Sequence, residues 1–172
     1  VVVEVSTRLE DNEWVLSKVK GDNFYLGLVG NVDVYREDFE QHVVRLKKDR
    51  RFVGVRAHSK KKIDFANDLV LVNLGMLAKH NLTMDYLTNG GGIPGIQPID
   101  RVARTIPNLR IVVNHCLGYD FDGKAPSAQW IAAVEALAAN KNVSVKISGL
   151  YQRCTTQPAV KEPDHYRAVL DV

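Results

Sequence analysis

The sequence predicts an α/β protein built on a parallel sheet, because short β-branched apolar runs alternate with segments of helical periodicity. Two runs carry most of this prediction, residues 110–115 and 143–149. Each is short and rich in β-branched apolar residues, as expected of a strand buried on both faces. Each also brings polar side chains to its C-terminal end, where parallel α/β folds assemble their active sites. This arrangement favours an enzyme over a binding scaffold.

The predicted strands are short segments that are rich in valine, isoleucine, leucine and aromatic residues. In chain order they are Val1 to Val5, Phe24 to Val29, Phe52 to Val55, Leu82 to Leu87, Leu109 to Val113 and Val143 to Ile147. They recur at fairly even intervals, and a helix-like segment follows each one. The alternation predicts βα units joined by right-handed crossovers.

The first three predicted helices have end signals or an apolar face. Asp11 or Asn12 is suited to cap the first, and Gly21 to end it. The second covers Asp38 to Lys48, where apolar residues recur on one face at helical spacing. The third covers Asp64 to Lys79 on the same argument.

The last three predicted helices are shorter or weaker in pattern. Ile99 to Thr105 begins directly after a proline, and Ser127 to Asn140 is alanine-rich with a tryptophan, a valine and a leucine three or four residues apart. The segment Pro163 to Val172 begins with proline and aspartate, both of which favour a first helical turn.

Both a doubly wound open sheet and a (β/α)8 barrel fit this alternation. A barrel typically needs about 250 residues and eight strands, whereas this chain of 172 residues supplies six predicted strands. The abrupt strand-like start and helical finish favour a partial (β/α)8 barrel. We therefore predict one domain, residues 1–172, that lacks the first and last barrel strands.

Composition excludes several classes of protein. With 45% hydrophobic and 25% charged residues, the chain has the composition of a globular domain with a real core. A net charge of +3 is too small to predict a nucleic-acid partner, and the lysine run 60–62 is best interpreted as a solvated surface. No apolar run is long enough to span a bilayer. We predict a small-molecule substrate and neither a nucleic-acid nor a membrane partner; the sequence does not predict the oligomeric state.

Cysteine usage and the N-terminal residues bear on location. Cys116 and Cys154 have neither the spacing of a zinc site nor that of a disulfide framework, so reduced thiols in a cytoplasmic protein are the simpler interpretation. The segment Val1 to Val5 has no basic region and no cleavage site, and it reads as a strand rather than a signal peptide.

His115 is the first candidate functional residue, because it follows a predicted strand and should stand at that strand's C-terminal end. A neutral imidazole there could bind a divalent metal, polarise a carbonyl group or transfer a proton. The alternative is a histidine that bonds a loop carbonyl, and position alone does not separate the two.

Arg56 ends the run Phe52 to Arg56 in the same way. A guanidinium at a strand end suits the capture of a substrate carboxylate or of an oxygen-rich ring. The alternative is an ion pair with an aspartate of a neighbouring loop. His58 lies two residues further on and could face the same end of the sheet.

Lys146 lies inside a predicted strand, where a charge is costly unless it is paired. Period-two alternation places Ser144, Lys146 and Ser148 on one face, which would point inward in a barrel. A catalytic role and a structural bond to a neighbouring strand both fit Lys146. The glycine-rich segment 89–95 lacks the spacing of a nucleotide-binding loop, so no nucleotide cofactor is predicted and a flexible active-site loop is favoured.

Five segments in the same order resemble the amidohydrolase-related TIM-barrel hydrolases, most closely the branch of sugar lactonases and 2-pyrone-4,6-dicarboxylate lactonases. They are Asp11 to Trp14, Gly27 to Asp33, Phe52 to Arg56, Pro107 to His115 and Val145 to Leu150. The resemblance covers nearly the whole chain. No single motif is decisive, but the ordered set is fairly specific.

The resemblance implies a distorted (β/α)8 barrel that hydrolyses lactones or related carbonyl compounds with activated water. His115 would match the family's sixth-strand histidine, which contacts a metal or the substrate carbonyl. Arg56 would match a substrate-anchoring arginine, and Lys146 with Ser148 would belong to the pocket wall. The cofactor implied is one divalent metal, zinc or manganese, although some lactonases of this group work without one.

The sequence departs from the family pattern at two places. The family's His-x-His pair of the first strand is not present, and neither is the eighth-strand segment whose aspartate serves as general base. We therefore expect an incomplete piece of a hydrolase, with the base supplied from outside it. The alternatives are a zinc-dependent decarboxylase of the same superfamily, and a non-catalytic α/β module that binds a ligand or a protein.

Overall fold

The computed structural model describes residues 1–3, 6–57, 63–88 and 92–172. Its strands are β1 (Val2–Val3), β2 (Leu28–Asn31), β3 (Phe52–Ala57), β4 (Thr83–Tyr86), β5 (Arg110–Val113) and β6 (Val143–Val145). Its helices are α1 (Asp11–Lys18), α2 (Phe39–Leu46), α3 (Asp68–Lys79), α4 (Ile93–Thr105), α5 (Ala128–Ala138) and α6 (Asp164–Leu170), with a short 3-10 turn at Cys116–Gly118. The predicted alternation of strands and helices is confirmed.

The strands lie in one sheet in the order of the chain, β1-β2-β3-β4-β5-β6, and the first four pair in parallel. A doubly wound sheet would reverse its order at a switch point. A (β/α)8 barrel adds each new strand beside the last. The sequential order therefore decides between the two predicted architectures in favour of the barrel type.

The chain divides into two compact units. The first holds residues 1–86 and 108–111, and the second holds 87–107 and 112–172. In the first, α2 and α3 bury apolar faces, with Phe39, Val43, Val70 and Leu74 fully inaccessible. The second is organised around ring contacts; Phe121 packs edge-on against Tyr119 and Tyr166 at 5.6 and 5.2 Å between centroids.

The predicted start of the second strand at Phe24 is wrong, because β2 begins at Leu28. Phe24 and Leu26 are 82% and 75% exposed. Asp22 turns the chain here, since its carboxylate accepts from the Phe24 amide at 2.9 Å and its carbonyl accepts from the Tyr25 amide at 3.3 Å. An aspartate that bonds the backbone two residues ahead favours a turn over a strand.

Two helix starts also differ from the prediction. α3 begins at Asp68 rather than Asp64, because Asn67 caps it by accepting from the Val70 amide at 3.2 Å. α4 begins at Ile93 rather than Ile99 and contains Pro98. Pro98 removes one helical hydrogen bond, but α4 buries Ile96, Ile99 and Val102, and this burial holds the helix together.

Burial of β6 on both faces, expected from its apolar run, is also wrong. The strand ends at Val145, which is 42% exposed, and the following Ile147 is 70% exposed. β6 is an edge strand of the described sheet. The parallel ladder nevertheless continues one residue further, because the Lys146 amide donates to the Val113 carbonyl at 2.9 Å.

None of the described helices combines the length and the apolar character that a membrane crossing requires.

Candidate functional site

His115 follows β5 after one residue, in an unusual backbone conformation. His115, Cys116 and Leu117 all have positive φ, at 53°, 49° and 59°. This left-handed region costs an L-residue roughly 1–2 kcal/mol. Backbone bonds hold the segment, with Cys116 N–H donating to Lys146 O at 3.0 Å and Gly118 N–H donating to His115 O at 2.8 Å. Strain that the surroundings enforce is characteristic of functional positions.

The segment that follows β6 holds the imidazole of His115. Nδ1 of His115 lies 3.0 Å from the Ser148 hydroxyl oxygen. The next residue is Gly149, with φ +71°, and a Cβ placed there would stand only 2.8 Å from Nδ1. Ser148 therefore orients the ring, and Gly149 provides the room for it. The serine and glycine of the Lys-Ile-Ser-Gly segment both act on His115.

The direction of the hydrogen bond between Ser148 and His115 depends on which nitrogen of the imidazole carries the proton. If the hydroxyl donates to Nδ1, the ring proton is on Nε2, and the ring can donate to a carbonyl oxygen. If Nδ1–H donates to the hydroxyl instead, Nε2 carries a lone pair suited to accepting a proton or binding a metal. The arrangement is thus suited to a polarising or a proton-transferring histidine.

Arg56 pairs with a residue that the sequence interpretation missed. Arg56 and Asp85 are directly opposite in the β3–β4 register, and Nε of Arg56 donates to Oδ1 of Asp85 at 2.9 Å. The side chain of Asp85 is 1% exposed and that of Arg56 is 13% exposed. The expected alternative of an ion pair is realised, but with a strand residue rather than a loop residue.

A signal for Asp85 was present in the sequence. It lies within the predicted strand Leu82 to Leu87, where a carboxylate is costly unless a cation or donors compensate it. The same argument singled out Lys146 two strands later. Applied to Asp85, it would have predicted a cationic partner on a neighbouring strand.

The other predicted site residues are placed as follows. Lys146 is half-buried, and its backbone bonds to Val113 and Cys116. Ser148 contacts His115. His58, the lysine run 60–62 and Asn89 to Gly91 of the glycine-rich segment lie outside the described residues.

A divalent metal of the implied kind needs several histidine, cysteine, aspartate or glutamate side chains close together. No three histidine, cysteine, aspartate or glutamate side chains within residues 1–3, 6–57, 63–88 and 92–172 are grouped so that they could hold a metal ion. His115 contributes one suitable nitrogen. The described residues therefore do not fit a metal centre by themselves, and we assign no reaction step to a metal.

Two buried cysteines of the second unit lie in contrasting surroundings. Cys116 and Cys154 are each 6% exposed and unlinked. The Thr156 hydroxyl lies 3.3 Å from Sγ of Cys154, and Nε2 of His165 lies 3.5 Å from it. Hydrogen bonding, from Thr156 above all, lowers the pKa of the Cys154 thiol to about 6. Burial raises the pKa of the Cys116 thiol.

We expect iodoacetamide at pH 7 to alkylate Cys154 at least about ten times faster than Cys116, because the thiolate is the reacting form. The two cysteine residues are equally exposed, so each serves as the control for the other. Peptide mass spectrometry over pH 5–9 measures both rates in one sample. The Cys154 rate should fall as the pH drops through about 6, and Thr156→Val should move that fall to higher pH. Equal rates at the two cysteines would contradict this prediction.

Comparisons with known proteins agree with the predicted resemblance. The amidohydrolase family model matches residues 1–172. An L-fucono-1,5-lactonase from Burkholderia ambifaria is 30% identical over 99% of this chain and 59% of its own length. The chain thus spans about three fifths of the curated relative that it matches.

Solved structures show the same fold. An amidohydrolase from Burkholderia multivorans with bound HEPES has a TM-score of 0.80 at 16% identity, over 98% of this chain and 62% of its own. The same protein with bound zinc has a TM-score of 0.76, also at 16% identity, over 98% of this chain and 60% of its own. A protein from Pseudomonas putida that is named as a 2-pyrone-4,6-dicarboxylic acid hydrolase has a TM-score of 0.70 at 18% identity. The match covers 99% of this chain and 59% of that protein. The family model matches every residue of the chain, and the sequential parallel sheet agrees with the fold of these structures: the chain belongs to the amidohydrolase family.

Proposed function

We propose that the full-length protein hydrolyses a lactone, adding water to the ring ester to give a hydroxy acid. The observation that carries the proposal is the strained His115, held at the end of β5 by Ser148 and by the space at Gly149. The fuconolactonase relative supports a lactone as the substrate class. The substrate is a small molecule, and the protein's location is proposed to be cytoplasmic.

In the proposed mechanism His115 acts on the scissile carbonyl group. The Ser148 hydroxyl donates to Nδ1, which fixes the proton on Nε2. Nε2–H then donates to the carbonyl oxygen and stabilises the negative charge that grows there as water attacks. A fixed donor of this kind costs no reorganisation during the reaction, which is why its orientation by Ser148 matters.

Other residues would bind the substrate and supply the base. Arg56 is proposed to anchor the substrate through its N–H donors, and His58, Lys146 and Ser148 are the further proposed binding residues. Water would be activated by an aspartate from outside this chain. A zinc or manganese ion is the cofactor that the family suggests, with His115 as this chain's contribution; the described residues alone do not form such a site.

The test is a substrate panel on the full-length protein. We expect one proton to be released for each sugar 1,5-lactone opened, measured in a pH-stat above the spontaneous rate. Aromatic carboxylates in the same panel report decarboxylation through release of carbon dioxide. Decarboxylation without lactone opening would overturn the proposal in favour of the decarboxylase of the same superfamily.

A further inference from the structure

We propose that Asp85 is a specificity-determining residue that makes Arg56 select uncharged, hydroxyl-rich lactones over lactones that carry a carboxylate. This inference rests on the proposed lactone hydrolysis and on Arg56 as a substrate anchor. It decides between the two kinds of ligand that a strand-end guanidinium could take, an oxygen-rich ring or a carboxylate.

The pairing of Arg56 and Asp85 is fixed by the backbone. Their strands place them directly opposite, Nε to Oδ1 is 2.9 Å, and Asp85 is almost fully shielded from water. Water screens this carboxylate little, so its charge acts at short range on the guanidinium and on anything bound to it. The pair as a whole is neutral.

The residue on the other side of Arg56 adds no charge. Asn31 of β2 is opposite Arg56 in the β2–β3 register and is 5% exposed. Its backbone N–H donates to Oδ1 of Asn12 in α1 at 2.8 Å, and its side-chain amide donates to the carbonyl oxygen of Ser6. Across the strands that flank β3, Asp85 is thus the charged residue in register with Arg56.

The remaining donors of Arg56 suit hydroxyl groups. A guanidinium carries five N–H donors, and four of them are on the two terminal nitrogens. Within the described part of the chain, the Arg56 side chain donates only from Nε, to Asp85. The terminal N–H groups can donate to hydroxyl or ring oxygens without any need for net charge. A substrate carboxylate at the same place would meet a cation that is already neutralised, with the Asp85 charge close behind it.

The experiment compares two lactones of one ring size in the full-length protein: a neutral sugar 1,5-lactone, and one that bears an additional carboxylate. We expect the wild type to prefer the neutral lactone by at least about tenfold in kcat/KM. Asp85→Asn keeps the shape and removes the charge, so it should shift the ratio toward the carboxylated lactone by about tenfold or more, mainly through KM. Asp85→Glu restores the charge and should keep the wild-type preference.

Asp49→Asn is the matched control, because Asp49 pairs with Arg51 just before β3 begins, at the opposite end of that strand from Arg56. This variant also removes a negative charge that is paired with an arginine, and it should leave the ratio of kcat/KM for the two lactones unchanged. A wild-type preference for the carboxylated lactone would overturn the inference, whether or not any variant folds. So would an unchanged ratio in a folded Asp85→Asn variant.

Binding separates failure of this inference from failure of the proposed function. If the wild type opens neither lactone, the proposed hydrolysis is wrong. Calorimetry with the two corresponding lactams, which resist ring opening, then still measures the preference. Tighter binding of the neutral lactam by the wild type, reversed or abolished in Asp85→Asn, supports the role of Asp85; equal binding of both lactams contradicts it.

Discussion

Replacing His115 with alanine in the full-length protein is expected to lower kcat for lactone opening by roughly 10²–10⁴-fold, the usual loss when a positioned acid–base group or oxyanion donor is removed. Alanine lacks the Nε2–H that stabilises the growing negative charge on the carbonyl oxygen. The loss should fall on kcat more than on KM, because that charge exists only in the transition state. Steady-state kinetics on a sugar 1,5-lactone measures it.

Two further variants serve as comparisons for the His115→Ala result. Ser148→Ala removes the group that orients the ring but keeps the ring, so it should lower kcat by about 10–100-fold, the usual size of such supporting contacts. His42→Ala removes a partly buried histidine that pairs with Asp38 at 3.0 Å, and it should leave kcat nearly unchanged. Near-normal turnover in His115→Ala would remove this histidine from the mechanism.

The second large effect is on stability. Arg56→Met should lower the free energy of unfolding by about 3–5 kcal/mol, because it removes the guanidinium that pairs with the buried carboxylate of Asp85. Methionine matches the arginine side chain as far as the position of Nε, so the packing of the aliphatic stem is kept. Urea unfolding at pH 7, followed by far-UV circular dichroism, measures the change.

A double variant separates charge from packing. Arg56→Met combined with Asp85→Asn leaves neither charge buried, and we expect it to recover most of the lost stability. Lactone hydrolysis should stay impaired in the double variant, because the donors of Arg56 are still missing. A double variant as unstable as Arg56→Met alone would show that lost packing, rather than loss of the ion pair, causes the lower stability.

The sequence was sufficient for the alternation of strands and helices and for placing the two principal candidates at strand ends. Buried strands read as β-branched apolar runs, and β3, β4 and β5 lie within one or two residues of their predicted bounds. Because the carboxyl end of a strand is visible in the sequence, Arg56 and His115 could be placed at strand ends from pattern alone. The amidohydrolase resemblance, carried by the same segments, is confirmed by the family model.

The partners of those residues could not be predicted by the same means. The contact of Ser148 with His115 joins residues far apart in the chain, and the Arg56–Asp85 pair depends on the register of two strands. The left-handed segment at His115 to Leu117 has no sequence signal, because three residues other than glycine adopt a conformation in which glycine is expected. Long-range packing decides these features, and local pattern does not report it.

The most direct test of lactone hydrolysis is ring opening of a sugar 1,5-lactone by the full-length protein in ¹⁸O-labelled water. Mass spectrometry of the product measures the isotope, and the uncatalysed rate is subtracted. Attack of water on the carbonyl predicts enzyme-dependent formation of a hydroxy acid with one ¹⁸O in its new carboxylate, largely lost in His115→Ala. No enzyme-dependent opening, or a product without the label, would contradict the proposed function.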